Sequence, residues 1–299
     1  MIVREETKKM AETLPLKGKT AVVTGGGGAI GGAAAINLAR DGAAIMLIGR
    51  TQATLEKGRE KLVQAVPEAR VEVFAADATK PEDMQAALQA AHDMQGFIDI
   101  IISVVGRGGG FVPILMHDIE SFRWVLEVNV LSAFLAVRYG APLMKRGGAI
   151  VCTSSTVAKI PFPTMSAYTA AKCAVEGFVK VAADELSGAG IRVNAVRPGL
   201  TPSGGTGGMF ADQETMDLFA AETPLVPWRG GFGKADDIGR AIRWLAGPES
   251  GWVTGQSIAV DGGHELRRYP EMSYMIARLH GKEAAAALRR AEPPPPRKP

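Results

Sequence analysis

The chain contains little cysteine and little histidine. Its two cysteines, Cys152 and Cys173, fall in a predicted strand and a predicted helix, so we interpret them as small buried hydrophobic residues rather than a disulfide. The four histidines have no spacing typical of metal ligands. The sequence therefore predicts neither a disulfide framework nor a metal site.

An excess of one charge and long apolar runs are also lacking. The formal net charge of +3 is too small to favour nucleic acid or a membrane surface as a partner. No apolar run reaches the roughly 18 residues that a membrane-spanning helix needs. Residues 1–19 are charged and lack the apolar core of a signal peptide. These absences predict a cytoplasmic protein with no nucleic-acid or membrane partner.

Glycine, by contrast, is abundant, and the 36 glycines occur in clusters. One cluster, residues 25–32, lies between an apolar run at 20–24 and a predicted helix at 33–40. A helix N-terminus offers free N–H groups and the positive end of its dipole, and glycine lets the backbone approach a ligand closely. Because it stands between a strand and a helix, this cluster predicts a phosphate site for a dinucleotide rather than a flexible loop.

The rest of the chain alternates strands with helices. The predicted strands are 20–24, 44–48, 71–75, 98–102, 147–154, 191–196 and 255–260. The predicted helices are 33–40, 52–65, 81–94, 119–144, 167–181 and 236–245. This alternation indicates an α/β protein with a Rossmann-type, doubly wound, seven-stranded parallel sheet and helices on both faces.

No change of composition divides residues 18–263, so the sequence predicts a single domain there. Residues 1–17 are interpreted as an N-terminal leader, and residues 264–299 as a C-terminal extension. The extension is predicted to be partly helical over 270–292, with a break at Gly281, and to end in a proline-rich tail at 293–299.

The end of the second predicted strand favours one dinucleotide over the other. A dinucleotide fold usually carries an acidic residue there, which binds the adenosine ribose hydroxyls. This chain has Gly49, Arg50 and Thr51 instead. A guanidinium suits a 2′-phosphate, so the sequence predicts NADP(H) rather than NAD(H). The alternative is an arginine that is only a surface residue.

Tyr168 and Lys172 stand four residues apart in a predicted helix, which places both side chains on one face. An ammonium close to a phenol favours the phenolate, so we expect Lys172 to lower the pKa of Tyr168 and to make it an acid–base group. Ser155 follows an apolar strand and would present a hydroxyl from its end. A pair at this spacing also occurs by coincidence on solvated helix faces.

In order and spacing, the chain resembles the classical short-chain dehydrogenase/reductase family over residues 18–263. Ser155 lies 13 residues before Tyr168, the spacing usual in that family. The matching features are the glycine motif from Thr24 to Gly31, Asp77, Asn129, Ser155, Tyr168, Lys172, the Pro198-Gly199 turn and the ending at 254–263.

The resemblance implies a role for each of these side chains. Tyr168 would exchange a proton with the substrate oxygen, and Ser155 would hydrogen-bond that oxygen where negative charge develops. Lys172 would lower the pKa of Tyr168 and hold the nicotinamide ribose. Asn129 would hold a water that links Lys172 to solvent, and Asp77 would bind the adenine edge.

The resemblance also implies a cofactor-binding set. Its members are Thr24, Gly25, Gly28, Ala29, Ile30, Gly31, Arg50, Thr51, Asp77, Ala78, Val105, Gly106, Tyr168, Lys172, Pro198, Gly199, Thr201 and Ser203. Two departures stand out. Ala29 replaces the second glycine of the family motif, and residues 103–106 read Ser-Val-Val-Gly where the family usually has Asn-Asn-Ala-Gly.

The implied function is an NADP-dependent oxidoreductase that interconverts a ketone or aldehyde and an alcohol on a largely hydrophobic small molecule. The predicted substrate pocket is apolar, although each member also suits ordinary packing. It comprises Phe111, Val112, Pro161, Phe162, Met165, Leu200, Met209 and Phe210. Two alternatives stay open: reduction of a conjugated C=C bond, which the four-residue Tyr–Lys spacing disfavours, and a dinucleotide-binding sensor without turnover.

Members of the family commonly form homo-oligomers, dimers or tetramers, through helices corresponding to residues 119–144 and 166–186. The C-terminal extension is not part of that pattern. It could cover the active site of a neighbouring subunit, stabilise an assembly or be an unstructured end.

Overall fold

Seven parallel strands form the centre of the fold. The computed structural model describes residues 14–144, 147–202, 212–270 and 273–290. The strands are β1 (Thr20–Thr24), β2 (Ala44–Gly49), β3 (Val71–Ala75), β4 (Ile100–Ser103), β5 (Gly148–Thr153), β6 (Ile191–Pro198) and β7 (Ser257–Val260). They are arranged β3-β2-β1-β4-β5-β6-β7, and each pairs with its neighbours in parallel. The predicted Rossmann-type sheet is confirmed.

Helices cover both faces of this sheet. They are α1 (Ala29–Arg40), α2 (Gln52–Ala65), α3 (Pro81–Asp93), α4 (Ile119–Leu126), α5 (Ser132–Gly140), α6 (Ser166–Ser187), α7 (Gln213–Ala221), α8 (Val226–Arg229), α9 (Ala235–Ala246), α10 (Ser273–His280) and α11 (Lys282–Arg289). Among the described residues, none of these helices has the length and apolar character needed to cross a bilayer.

Two apolar cores hold the layers together. Met84 of α3, Leu135 of α5 and Val175 of α6 pack against one face of the sheet. Leu38 of α1 and Ile242 of α9 pack against the other. All residues of β1 and β4 are buried, as expected for central strands covered on both faces, and this explains their nearly continuous apolar sequences.

The helix predicted over 119–144 is divided in the structure. A π-helical turn, Glu127–Leu131, joins α4 to α5, and a short 3₁₀ turn with Pro142 follows α5. Asn129 lies inside the π turn, and its side-chain amide donates to the carbonyl of Val125 at 2.7 Å. π turns in helices are frequent at functional sites, and a periodicity of apolar residues does not reveal them.

The strand order reverses between β1 and β4. In an open α/β sheet the loops on the two sides of this point run in opposite directions, and they leave a crevice between them at the carboxyl ends of the strands. The loops after β1, β4, β5 and β6 all end at this edge of the sheet. The fold therefore brings the predicted glycine turn, the 104–112 loop and Ser155 to one crevice.

The C-terminal extension contains the two helices α10 and α11. Gly281 lies between them with a φ of +90°, a conformation that glycine adopts without strain, and so the break predicted there is present. The predicted proline-rich tail at 293–299 and residues 1–13 of the predicted leader lie outside the described residues.

Candidate active site

The glycine turn after β1 is so compact that side chains have little room at Gly25 and Gly31. Gly25 has a φ of +69°, and a Cβ there would lie 3.3 Å from the backbone nitrogen of Val105. A Cβ added to Gly31 would lie only 2.4 Å from the carbonyl oxygen of Gly25. The turn therefore packs its own backbone together and brings the loop after β1 against the loop after β4.

Helix α1 begins directly beyond this turn. Gly28 precedes the helix, donates its N–H to the Gly25 carbonyl at 2.9 Å and provides no side-chain cap. Ala29 is exposed and Ile30 partly buried, so the methyl group that replaces the family's second glycine is not packed into the core. The first amides of α1 thus face the crevice, where their dipole suits a phosphate.

Thr24 connects β1 to the end of β4, the two strands between which the strand order reverses. Its hydroxyl accepts a hydrogen bond from the N–H of Val104 at 3.2 Å and donates one to the carbonyl of Ile102 at 3.4 Å. The departure from the family sequence at residues 103–106 therefore does not remove the hydrogen bonds between β1 and the end of β4. Thr24 makes these bonds to backbone atoms of Ile102 and Val104, which do not depend on the side chains there.

Arg50 and Asp77 lie near one another beyond the ends of β2 and β3. Arg50 and Thr51 are exposed, Asp77 is partly buried and Ala78 is buried. Burial raises the pKa of Asp77, but hydrogen bonds from Thr79 and the positive charge of Arg50 outweigh that effect and hold it below its ordinary value. Asp77 is therefore a carboxylate, and Arg50 and Lys80 are cations close enough to lower its pKa.

The predicted Ser–Tyr–Lys group comes together beside β5. Tyr168 and Lys172 lie on α6, and the Lys172 ammonium is 5.4 Å from the centre of the Tyr168 ring. Lys172 is 2% exposed and donates a hydrogen bond to the carbonyl of Thr153 at 2.8 Å. Ser155 follows β5, and its hydroxyl is a hydrogen-bond partner of Tyr168. The three side chains form one group.

The expected lowering of the pKa of Tyr168 is wrong for this structure. Burial raises the pKa of Tyr168 to about 12, against a smaller lowering by the Ser155 hydroxyl. Burial also lowers the pKa of Lys172 to about 8, because the charged form of each group loses its hydration. The sequence predicted the spacing of the pair, but it did not reveal that Lys172 is buried and that Tyr168 is partly buried against an apolar cluster.

Asn129 supplies a free acceptor next to Lys172. Its amide nitrogen donates to the carbonyls of Arg107 and Val125 at 2.8 and 2.7 Å, whereas its buried Oδ1 has no hydrogen-bond partner. A Cβ on Gly106 would lie 2.5 Å from this Oδ1 and 3.0 Å from the Lys172 nitrogen. Only a glycine leaves room here, and the two polar atoms face a common space that suits a water or a ligand hydroxyl.

The loop after β6 completes the crevice. Gly199 donates its N–H to the carbonyl of Val260 at 3.1 Å, and the buried Thr201 donates its hydroxyl to the carbonyl of Gly199 at 3.1 Å. These bonds fix the Pro198–Gly199 turn against β7. Ser203 lies outside the described residues.

An apolar cluster lies against Tyr168. It contains four predicted pocket residues, Phe111, Phe162, Met165 and Leu200. Val112 is tied into the same region by its N–H, which donates to the carbonyl of Thr164 at 2.8 Å. Two other predicted pocket residues, Met209 and Phe210, lie outside the described residues.

Sequence reasoning missed several members of this cluster, among them Phe219 of α7, Tyr269, and Met275 of α10. Phe219 and Met275 are 1% and 4% exposed, so they are part of a true core rather than loose surface contacts. For Tyr269 and Met275 the signal was indirect, namely aromatic and apolar residues beyond the ending at 254–263, where the family pattern assigns no role.

A doubly wound parallel sheet with a glycine turn at its point of reversal is the architecture of dinucleotide-dependent oxidoreductases. The comparisons with known proteins agree with this class. A family model described as "Enoyl-(Acyl carrier protein) reductase" matches residues 27–265. The match ends before α10 and α11.

Two characterised relatives span most of the chain. One is the 2-(S)-hydroxypropyl-CoM dehydrogenase 3 of Xanthobacter autotrophicus, 34% identical over 83% of this chain and 97% of the relative. The other is the NADPH-dependent aldehyde reductase-like protein, chloroplastic, of Arabidopsis thaliana, 34% identical over 84% of this chain and 96% of the relative.

A solved structure is similarly close. The short-chain type dehydrogenase/reductase from Mycobacterium ulcerans superposes with a TM-score of 0.86 at 29% identity, covering 91% of this chain and 98% of that one. The chain belongs to the short-chain dehydrogenase/reductase family. It is an oxidoreductase of the kind that acts on CH–OH groups with NAD(P)(H).

The residues of the crevice fit such a dinucleotide. The turn at Gly25 and Gly31 is bare backbone next to the amides of α1, which suits a pyrophosphate. The unpartnered Oδ1 of Asn129 and the buried ammonium of Lys172 offer an acceptor and a donor for hydroxyl groups at the other end of the crevice. Among the described residues, no group of three His, Cys, Asp or Glu side chains is arranged to hold a metal ion.

Proposed function

We propose that the chain is an NADP(H)-dependent oxidoreductase that interconverts a ketone or aldehyde and the corresponding alcohol on a largely hydrophobic small molecule. One observation carries the proposal: the acid–base group of Tyr168, Ser155 and the buried Lys172 lies directly against an apolar cluster. A substrate with its oxygen at Tyr168 would place its carbon skeleton in apolar surroundings.

In this mechanism the chain handles the proton. The Ser155 hydroxyl donates to the substrate oxygen and stabilises the negative charge that develops there. Tyr168, protonated because burial raises the pKa of its phenol, gives its proton to that oxygen in the reductive direction and takes one in the oxidative direction. The bound dinucleotide supplies or accepts the hydride.

Lys172 and Asn129 would replace the proton that Tyr168 gives up. Lys172 has a pKa lowered to about 8, which places its titration close to neutral pH, where a proton donor works best. The Oδ1 of Asn129 is free to hold a water beside Lys172 and so to complete a path to solvent. The positive charge of Lys172 would also stabilise a Tyr168 phenolate, since the ammonium lies 5.4 Å from the centre of the Tyr168 ring.

The NADP(H) preference rests on Arg50. It is exposed beyond β2, and no acidic side chain occupies the end of that strand. If Arg50 binds a 2′-phosphate, Arg50→Ala will lower the preference for NADPH over NADH by about tenfold or more, the effect of one charge-assisted hydrogen bond. Arg70→Ala, an exposed arginine just before β3 at the other edge of the sheet, is the matched control. An unchanged preference contradicts the assignment.

Reduction of a conjugated C=C bond is the second candidate, because the matching family model is described as an enoyl reductase. Purified protein separates the candidates: NADPH oxidation is followed with a panel of ketones and aldehydes and, separately, with conjugated enones and enoyl thioesters. We expect turnover with the carbonyl panel, and Tyr168→Phe to lower kcat/KM by about 100-fold or more. Tyr139→Phe, a partly buried tyrosine on α5, is the control. Absence of turnover, with no effect of Tyr168→Phe, would leave only the dinucleotide-binding sensor.

Three further proposals concern organisation. Residues 18–263 would form one catalytic domain, with residues 1–17 and 264–299 flanking it. The chain would form a dimer or tetramer through α4, α5 and α6, on which Trp124, Phe134 and Val181 are exposed. Light scattering after size-exclusion chromatography tests this. A cytoplasmic location is proposed from the sequence alone.

A further inference from the structure

The geometry points to a role for the C-terminal segment, residues 264–270 and 273–290. We propose that it closes the apolar substrate site of its own chain, that Tyr269 is the specificity-determining residue, and that the enclosed site selects carbonyl compounds bearing an aromatic or alicyclic ring. This inference rests on the proposed function, since it names the substrate class of the same site. Apart from its first two residues, the segment lies beyond residue 265, where the match to the family model ends.

The segment is packed into the cluster that contacts Tyr168. Met275 of α10 is 4% exposed and belongs to the same apolar core as Val157, Phe162 and Phe219. Burying a methionine side chain stabilises the folded state, and this position is filled from the C-terminal segment rather than from the sheet. Removing the segment would expose one side of the cluster to water.

Polar contacts hold the segment on two sides of the cluster. On one side, Nε2 of His280 donates to the carbonyl of Phe111 at 2.9 Å, which attaches the end of α10 to the loop after β4. On the other side, Arg278 pairs with Asp212 at 3.1 Å, and the hydroxyls of Tyr274 and Thr215 share a hydrogen bond of 2.7 Å. These contacts connect α10 to both Phe111 and α7.

Tyr269 brings the segment closest to the reacting groups. Its hydroxyl shares a hydrogen bond of 2.7 Å with the hydroxyl of Thr156, the residue after Ser155. Burial raises the pKa of Tyr269 well above its ordinary value, and proximity to Tyr168 adds to the increase, so its phenol stays neutral. The ring centre of Tyr269 lies 4.4 Å from that of Phe162. Tyr269 is therefore an aromatic wall with its one polar atom already bonded.

The surrounding rings set the shape of a suitable substrate. Phe111 and Phe162 meet edge to face at 5.7 Å, Phe162 and Phe219 at 5.9 Å, and Phe219 and Tyr269 at 5.9 Å. Aromatic edges and faces arranged in this way favour a flat or cyclic apolar group. A substrate with many hydroxyls would lose hydration without gaining hydrogen bonds, which disfavours its binding.

The test measures ring selectivity with two methyl ketones, acetophenone and butanone, at saturating NADPH. In Tyr269→Ala and in Met275→Ala, the ratio of kcat/KM for acetophenone to that for butanone should fall by about tenfold or more. Leu279→Ala is the matched control, because Leu279 lies on the same helix and is 49% exposed. Tyr269→Phe keeps the ring and should keep the selectivity. An unchanged ratio in both alanine variants overturns the inference.

A binding measurement separates this inference from the proposed function. Saturation-transfer NMR detects acetophenone on the NADPH-loaded protein without turnover. If wild-type protein reduces neither ketone, the proposed function fails, and loss of acetophenone binding in Tyr269→Ala would still support the enclosed site. Absence of binding to wild-type protein, or equal binding by wild type and both alanine variants, overturns it. If thermal unfolding shows that Tyr269→Ala is not folded, the comparison of Met275→Ala with Tyr269→Phe tests the enclosed site instead.

Discussion

Replacing Lys172 by methionine should stabilise the folded protein near neutral pH although it removes a proposed catalytic group. Lys172 is 2% exposed, and burial lowers its pKa from 10.5 to about 8. Below the folded value the lysine is charged in both states, and the folded state bears the full penalty of holding a buried ammonium. Methionine has a similar length and no charge, so it fills the site without that penalty.

The expected gain follows from the size of the shift. A change of about 2.5 pKa units corresponds to about 3 kcal/mol of destabilisation by the charged form. The hydrogen bond from Lys172 to the Thr153 carbonyl, 2.8 Å long, is lost in the variant. Its net contribution is about 1 kcal/mol. Near neutral pH, Lys172→Met should therefore be more stable than wild type by about 2 kcal/mol, roughly 5 °C in Tm.

The pH dependence has a definite sign. Between the folded pKa of about 8 and the ordinary 10.5, the unfolded state binds more protons than the folded state, so wild-type stability rises with pH relative to the variant. Above that window the gain of Lys172→Met should disappear. Thermal unfolding of both proteins across this range measures it, with Lys180→Met, an exposed lysine on α6, as the control. A difference between Lys172→Met and wild type that does not change with pH would refute the reasoning.

Three other changes test individual contacts. Gly31→Ala should abolish NADPH binding and lower Tm, because the added Cβ would lie 2.4 Å from the Gly25 carbonyl oxygen. Gly32→Ala is the control and should be tolerated, because the nearest atom to its Cβ lies 3.6 Å away. NADPH fluorescence measures binding by the two variants, and thermal unfolding measures their Tm. Arg197→Met should destabilise the folded state by about 2 kcal/mol in urea unfolding, because it leaves the partly buried Glu265 without the cation that lies 2.6 Å away. Thr164→Gly should stabilise by about 1 kcal/mol in the same assay, since it relieves a φ of +77°.

The sequence was sufficient for the sheet because strands and helices follow local patterns. The glycine turn at 25–32 and the apolar runs predicted the order of elements, and the family spacing located Ser155, Tyr168 and Lys172. These are properties of neighbouring residues along the chain. The structure confirms the fold and brings the three side chains into one group.

What the sequence did not predict depends on long-range packing. The pKa of Tyr168 depends on burial, which the i, i+4 spacing to Lys172 does not report, and so the expected direction of its shift was wrong. The π turn at Asn129 interrupts an apolar periodicity that looks continuous. Tyr269 reaches Thr156 across 113 positions of the chain, a contact that no local pattern contains.

Three energetically unfavourable features of the described chain lie at one edge of the sheet. Lys172 is a buried cation, and Asn129 has a buried oxygen without a partner, and both atoms lie next to the space that a Cβ on Gly106 would fill. Thr164, in a strained conformation, lies in the loop that leads to Tyr168. Each feature costs about 1 to 3 kcal/mol in the free protein. A ligand that hydrogen-bonds Asn129 and Lys172 would recover part of this cost. We therefore expect NADPH to raise Tm in wild type by more than in Asn129→Ala, and equal shifts would show that these atoms do not hold the ligand.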